Sequence, residues 1–127
     1  MIEIARTFVI LTIASVGVLL SGLVTHAFAH AGLVNAVPAP AATLSAAPAA
    51  VVLTFTEPLE PEFSSIEVRD AKGARLDKAD THAVSGNRKQ IVVDLEPLPP
   101  GTYTVLWRAT SVDTHRSNGT YPFSIKP

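Results

Sequence analysis

The residues best suited to chemistry lie in two places, far apart in the chain. One is Ser111-Val112-Asp113-Thr114-His115. It follows the best-patterned apolar run, Thr102 to Ala109, and precedes Arg116-Ser117-Asn118-Gly119, which reads as a polar turn. Asp113 and His115 are two apart, so on an extended backbone both side chains face the same side. A carboxylate and an imidazole would then share one small, hard target. The other place is His30, which follows the small-x-small sequence Ala27-Phe28-Ala29, the pattern of a leader cleavage site.

A His at a new N-terminus offers a metal two nitrogens, its α-amine and its ring. An internal His cannot, because its backbone nitrogen is an amide. The amine pKa, about 8, is low enough for the proton to yield to a strong Lewis acid near neutral pH. His30, Asp113 and His115 together would supply an amine, two imidazoles and a carboxylate. A nitrogen-rich N/O set in a tetragonal arrangement favours Cu(II). Zinc prefers a tetrahedron, which a stiff in-plane chelate resists. The expectation is one Cu(II) per chain. Residue types alone leave plainer accounts open: an Asp that caps a turn, a surface His, and a first residue that is His by chance. A second Asp-Thr-His at 80–82 shows that the triplet by itself is weak evidence. It sits in a polar stretch and reads as a solvated loop.

The elements that must position these groups are short strands. Val51 to Phe55 is β-branched and aromatic, and Ser65 to Arg69 alternates. Gln90 to Asp94 is brief and apolar at its centre. Thr102 to Ala109 places Tyr103, Val105 and Trp107 on one side and Thr104, Leu106 and Arg108 on the other. Thr120 to Lys126 has Phe123 and Ile125 two apart. Gly32 to Val37 is a candidate first strand. Residues 36–50, with Pro38, Pro40 and Pro48, read as an extended loop or edge segment. Residues 70–90 are polar, with room for one more short strand or a loop. Lys72-Gly73, Ser85-Gly86-Asn87, Pro99-Pro100-Gly101 and Asn118-Gly119 are turn signals. Trp107 and Tyr103 read as core packing, and Arg108 as a solvated strand position. The pattern predicts an all-β fold, a β-barrel or sandwich of about seven strands.

Residues 1–29 read as a secretory signal. They combine a weakly charged start, an uncharged apolar run from Thr7 to Val24 and the small-x-small site. An uncleaved anchor is the alternative, since 18 apolar residues just span a bilayer. No basic stop follows the run, which favours cleavage. Residues 30–127 would then be one exported domain, with no membrane span once the leader is removed. Its charge would be nine basic against ten acidic residues, which excludes a nucleic-acid footprint. There is no cysteine, so the core must hold the fold without disulfides, and thiolate is unavailable as a ligand. The only Met is Met1.

Several of these stretches resemble the CopC family of periplasmic copper-binding proteins. They are His30-Ala-Gly-Leu-Val, Leu53-Thr54-Phe55-Thr56-Glu57-Pro58-Leu59, Pro100-Gly101-Thr102-Tyr103-Thr104-Val105, Trp107-Arg108 and Ser111-Val112-Asp113-Thr114-His115. The resemblance runs in order over essentially all of 30–127. It implies a Greek-key β-barrel or immunoglobulin-like sandwich, a mature N-terminal His, and a Cu(II) site on which His30, Asp113 and His115 fall. It also places Glu57 on a carboxylate that lies near copper in some members, as ligand or neighbour. The implied partner, besides copper itself, is an inner-membrane transporter of the CopD kind. Some members hold Cu(I) in a second, Met-rich site. Soft thioethers select Cu(I), and with no Met after the leader that site is expected to be missing.

Two other functions compete with a periplasmic copper carrier. A terminal-His copper brace on a sandwich also resembles lytic polysaccharide monooxygenases. Against an enzyme, only six aromatics remain after the leader, and most sit in strand patterns and form no flat platform. The other competitor is a plain sandwich module for protein contacts.

Overall fold

The computed structural model describes residues 31–127. His30, the apolar leader and its cleavage site all lie outside the described residues. Eight strands form two four-stranded sheets that pack face to face. They are β1 (Leu33–Val37), β2 (Thr43–Leu44), β3 (Ala50–Phe55), β4 (Ser65–Arg69), β5 (His82–Val84), β6 (Asn87–Asp94), β7 (Gly101–Thr110) and β8 (Arg116–Ile125). One sheet has the order β1-β3-β6-β5 and the other β2-β8-β7-β4. All pairings are antiparallel except β2 with β8. A 3-10 turn at Pro61–Phe63 joins the sheets between β3 and β4. The expected all-β sandwich is present, and among the described residues no helix is long and apolar enough to cross a membrane.

Alternation builds the core. Val51, Leu53 and Phe55 of β3 and Ile91 and Val93 of β6 face Ile66 and Val68 of β4, Tyr103, Val105 and Trp107 of β7, and Phe123 and Ile125 of β8; all are buried. Each fully buried aliphatic contributes about 1.5–3 kcal/mol relative to exposure. Phe55 meets Trp107 edge to face at 5.2 Å, and Tyr103 stacks with Phe123 at 5.4 Å. Such pairs add about 0.5–1.5 kcal/mol beyond burial. Trp107 and Tyr103 are therefore core residues, as expected, and Arg108 is exposed.

Two expectations need correction. Asn118-Gly119 is not a turn. It lies inside β8, where Gly119 pairs with Trp107 across the hairpin. A Cβ at Gly119 would come within 2.7 Å of the Trp107 ring, so the glycine is there to admit the indole. The true turn is 111–115, and this overturns the extended-backbone argument for Asp113 and His115. Thr114 takes φ +74°, a left-handed conformation uncommon for a β-branched residue.

The polar stretch 70–90 holds β5, and its triplet has a structural task. Thr81 Oγ1 accepts from Ile66 N (3.1 Å), and Asp80 Oδ1 accepts from Asp94 N (2.9 Å). One segment thus ties β4 to β6 across the two sheets. His82 stays exposed, its Nδ1 2.7 Å from the Asp80 carbonyl. Nearby, Asp77 is buried. It accepts from Val68 N and Ala79 N and pairs with Arg75 at 2.8 Å.

Candidate metal centre

The β7–β8 hairpin is the longest among the described residues, ten paired positions from Gly101↔Ile125 to Thr110↔Arg116. Its rigidity carries the loop 111–115. Ser111 N donates to the His115 carbonyl and Thr114 N to the Ser111 carbonyl, both at 2.9 Å. The loop is also docked on the segment after β3. Val112 N donates to Pro58 O (3.0 Å), and Leu59 bridges Ser111.

The turn, rather than strand alternation, brings the two predicted donors together. His115 Nδ1 lies 3.1 Å from Asp113 Oδ2, and His115 N lies 3.3 Å from Asp113 Oδ1. Ser111, only 1 % exposed, donates its hydroxyl to Asp113 Oδ1. That hydroxyl first, and His115 second, hold the Asp113 carboxyl down at about 2. An aspartate is ionised at physiological pH even at its ordinary value, and about half of this carboxylate remains open to solvent. A hard anionic oxygen beside an imidazole suits a divalent cation.

Glu57 lies on the same end, half-buried between Thr56 and Pro58. It makes no hydrogen bond or ion pair with any described residue. Its chain neighbours make the contacts: Pro58 O accepts from Val112, and Thr56 holds the start of β1. The carboxylate is thus on a segment docked against the 111–115 loop.

Among the described residues, no group of three His, Cys, Asp or Glu assembles that could hold a metal ion. The loop supplies one oxygen and one nitrogen donor. What the described chain does show is how the residue after His30 is anchored. Ala31 is 1 % exposed, and its carbonyl accepts from Ser117 Oγ at 2.7 Å. Ser117 is two residues past His115. Gly32 is clamped from the other sheet, with Gly32 N donating to Thr56 Oγ1 and Thr56 N to Gly32 O, both at 2.9 Å. The start of the described chain, Ala31, is therefore pinned between the Glu57 segment and the start of β8.

Ser117 and Thr56 were not singled out from the sequence, because their partners are 86 and 24 residues away. A weak signal existed for Ser117. It occupies the core-facing row of β8 with Tyr121, Phe123 and Ile125, where a polar side chain needs a partner.

Comparison with known proteins bears on the family and the fold. A family model for the CopC domain matches residues 33–126. Protein YobA of Escherichia coli K12 is 38% identical over 114 residues, covering 88% of this chain and 92% of that protein. Copper resistance protein C of Xanthomonas campestris pv. juglandis is 40% identical over 106 residues, covering 79% and 83%. Among solved structures, CopC from Methylosinus trichosporium OB3b superposes with TM-score 0.73 at 31% identity, covering 77% of this chain and 95% of that one. PcoC, a methionine-rich copper resistance protein from Escherichia coli, gives 0.67 at 35%, covering 77% and 100%. With the two-sheet sandwich, the hairpin loop and a matching family model over nearly the whole described chain, this protein belongs to the CopC family of copper-binding proteins.

Proposed function

We propose that this chain is exported to the periplasm, trimmed before His30, and carries or sequesters one Cu(II) ion in copper homeostasis. In this reading the His30 amine and ring, the His115 ring and the Asp113 carboxylate hold the ion, with Glu57 beside it. The observation that carries it is the Ser117–Ala31 hydrogen bond. It ties the backbone next to His30 to β8, two residues past His115 and beside an ionised Asp113. The protein's own work is to pre-position donors: Ser111 orients the Asp113 carboxylate by its hydrogen bond, and Thr56 and Ser117 fix the segment at residues 31 and 32.

The donor set argues for Cu(II) alone. The region after residue 29 contains neither Met nor Cys, so no soft sulfur is present to select Cu(I). PcoC is described as methionine rich, and this chain differs from it in that respect. The role is that of a carrier and not an enzyme, with an inner-membrane transporter of the CopD kind as the exchange partner.

The test compares two purified proteins, one beginning at His30 and one beginning at Ala29. The extra alanine turns the His30 amine into an amide and leaves every described contact in place. The form beginning at His30 is expected to bind one Cu(II) at least a hundredfold more tightly. At a thousandfold excess over its dissociation constant, copper should stabilise it by about 4 kcal/mol. Equal affinity of the two forms, or unchanged affinity in His115→Ala, would overturn the assignment.

A further inference from the structure

The outer face of the β7–β8 hairpin holds a cleft whose outward side chains the copper reading does not use; Ser117, which also borders it, turns its hydroxyl inward to Ala31. It has a volume of about 290 Å³ and is lined by Phe63, Arg108, Thr110, Arg116 and Asn118. The register explains it. Arg108 pairs with Asn118 and Thr110 with Arg116, so these four side chains project outward in two adjacent rows. The 3-10 turn supplies the wall, since Thr110 Oγ1 donates to the Phe63 carbonyl at 2.9 Å. Phe63 is 67% exposed, the most exposed large apolar side chain among the described residues.

The two arginines of this cleft carry no ion pair among the described residues. Arg69 and Arg75 pair with Glu67 or Asp77, and Arg88 pairs with Glu60. Arg108 and Arg116 have no carboxylate partner among the described residues. Two guanidinium forks beside an open aromatic ring are a recognition surface for carboxylates attached to apolar groups. A second depression of about 260 Å³ shares Arg108 and Asn118 and continues the groove to Leu106 and Thr120, with Glu67 on its β4 side, a carboxylate already paired with Arg69 and Arg75. From the 110/116 row to the 106/120 row is four residues of strand, about 13 Å, the length of about four extended residues.

We propose that this groove docks a short acidic segment of a protein partner, with apolar side chains at its ends and carboxylates between them. Phe63 takes one apolar end and Leu106 the other, while Arg108 and Arg116 take the carboxylates. A protein segment fits better than a polyanion or a membrane. The cations number two, they lie in a walled groove, and the whole chain carries a net charge of −1. Thr110 and Arg116 directly flank the 111–115 loop, so the segment would lie beside the candidate metal centre. The docking stands on its own geometry. Only the inference that it serves copper exchange rests on the proposed function.

The probe is a fluorescein-labelled ten-residue peptide carrying Phe-Glu-Asp-Leu in a Gly-Ser frame, titrated by fluorescence anisotropy against the protein with and without copper. Arg108→Glu, Arg116→Glu and Phe63→Ala are each expected to weaken binding at least tenfold. All three residues are exposed, and circular dichroism should stay unchanged. Lys72→Glu, with the same charge change in the remote 70–73 turn, is expected to alter binding less than twofold. Raising NaCl from 50 to 500 mM should weaken binding, because screening acts on exposed charges. The inference is overturned if the arginine reversals do no more than Lys72→Glu, or if a Phe-Gln-Asn-Leu peptide binds equally well. It is also overturned if phosphatidylglycerol vesicles show the arginine dependence while the peptide does not. Equal copper affinity in the forms beginning at His30 and at Ala29, with peptide binding intact, would leave the docking standing and remove only the copper reading.

Discussion

Replacing Ser117 with alanine isolates the step by which the fold positions the chain next to His30. The Ser117 hydroxyl reaches the Ala31 carbonyl at 2.7 Å, and Ala31 itself is almost fully buried. Removing the donor leaves a buried carbonyl short of a partner, which costs about 1–3 kcal/mol. The two Gly32–Thr56 bonds remain, so the segment should stay on the sheet edge but lose its second anchor. If copper binding needs residue 30 held in place, part of that cost must be met again on binding. A loss of about 1–2 kcal/mol corresponds to roughly five- to thirtyfold weaker binding.

The assay is competition for Cu(II) against a chelator of known affinity, using protein that begins at His30, with urea unfolding of the metal-free form alongside. Ser117→Thr keeps a hydroxyl and should recover most of the affinity. A purely structural role would lower the urea midpoint and leave copper affinity untouched. That result would refute the claim that the Ala31 anchor organises the metal centre.

Three further outcomes follow from the packing and the titrating groups. Gly119→Ala should destabilise by about 1–3 kcal/mol, the usual range for overpacking, because the new Cβ would meet three Trp107 ring atoms within 2.7–2.9 Å; urea unfolding and the near-ultraviolet tryptophan signal both report it, and an unchanged midpoint would contradict it. Tyr121 is buried with no hydrogen-bond partner for its hydroxyl among the described residues, and burial pushes its phenol up to about 12. Tyr121→Phe should therefore stabilise at pH 7 by about 1 kcal/mol. The native protein should lose stability as pH rises from about 10 toward 12, where the unfolded phenol ionises first, by an amount on the order of 3 kcal/mol, and the Phe variant should lack that loss. At the acid end, burial works to raise the Asp77 carboxyl, but Arg75, Val68 N and Ala79 N outweigh it and hold it below its ordinary range. Its contribution is fully present above the unfolded value of about 4 and is lost as pH falls through the folded value. Urea midpoints should stay level from pH 5 to 7 and drop below 4, with a shallower drop in Asp77→Asn.

Much of the fold was legible because its long strands alternate cleanly. Tyr103, Val105 and Trp107 announce both β7 and the face it buries. The short strands β2 and β5 were not legible as strands, since two or three residues carry no period and exist only through their partners. Asn118-Gly119 misled for a physical reason. The same dipeptide that permits a tight hairpin turn also gives the smallest strand residue beneath an indole, and only the fold shows which need the glycine meets. Within the candidate centre, Asp113 and His115 were legible by chemical type, though the turn that joins them was not. Ser111 was legible as part of the motif, while its effect on the Asp113 carboxyl required coordinates.

The deeper asymmetry concerns what each half of the centre needs from the fold. Asp113 and His115 are neighbours in sequence, so a five-residue loop suffices to bring them together and a buried serine to orient the carboxylate. The terminal nitrogen of the proposed function would have no such local help. It would rely on a sheet edge held from both sides, by Thr56 on one side and Ser117 on the other. Both anchors act on the backbone of residues 31 and 32 and depend on two hydroxyls. Thr56→Val, which keeps shape and removes the acceptor for Gly32 N, should then weaken copper binding about as much as Ser117→Ala. The double variant should be worse than the sum of the two, because each anchor alone still restrains a segment of two residues. Strict additivity in that double-mutant cycle would mean that the two contacts act independently, and that the terminus is positioned by something other than the pair.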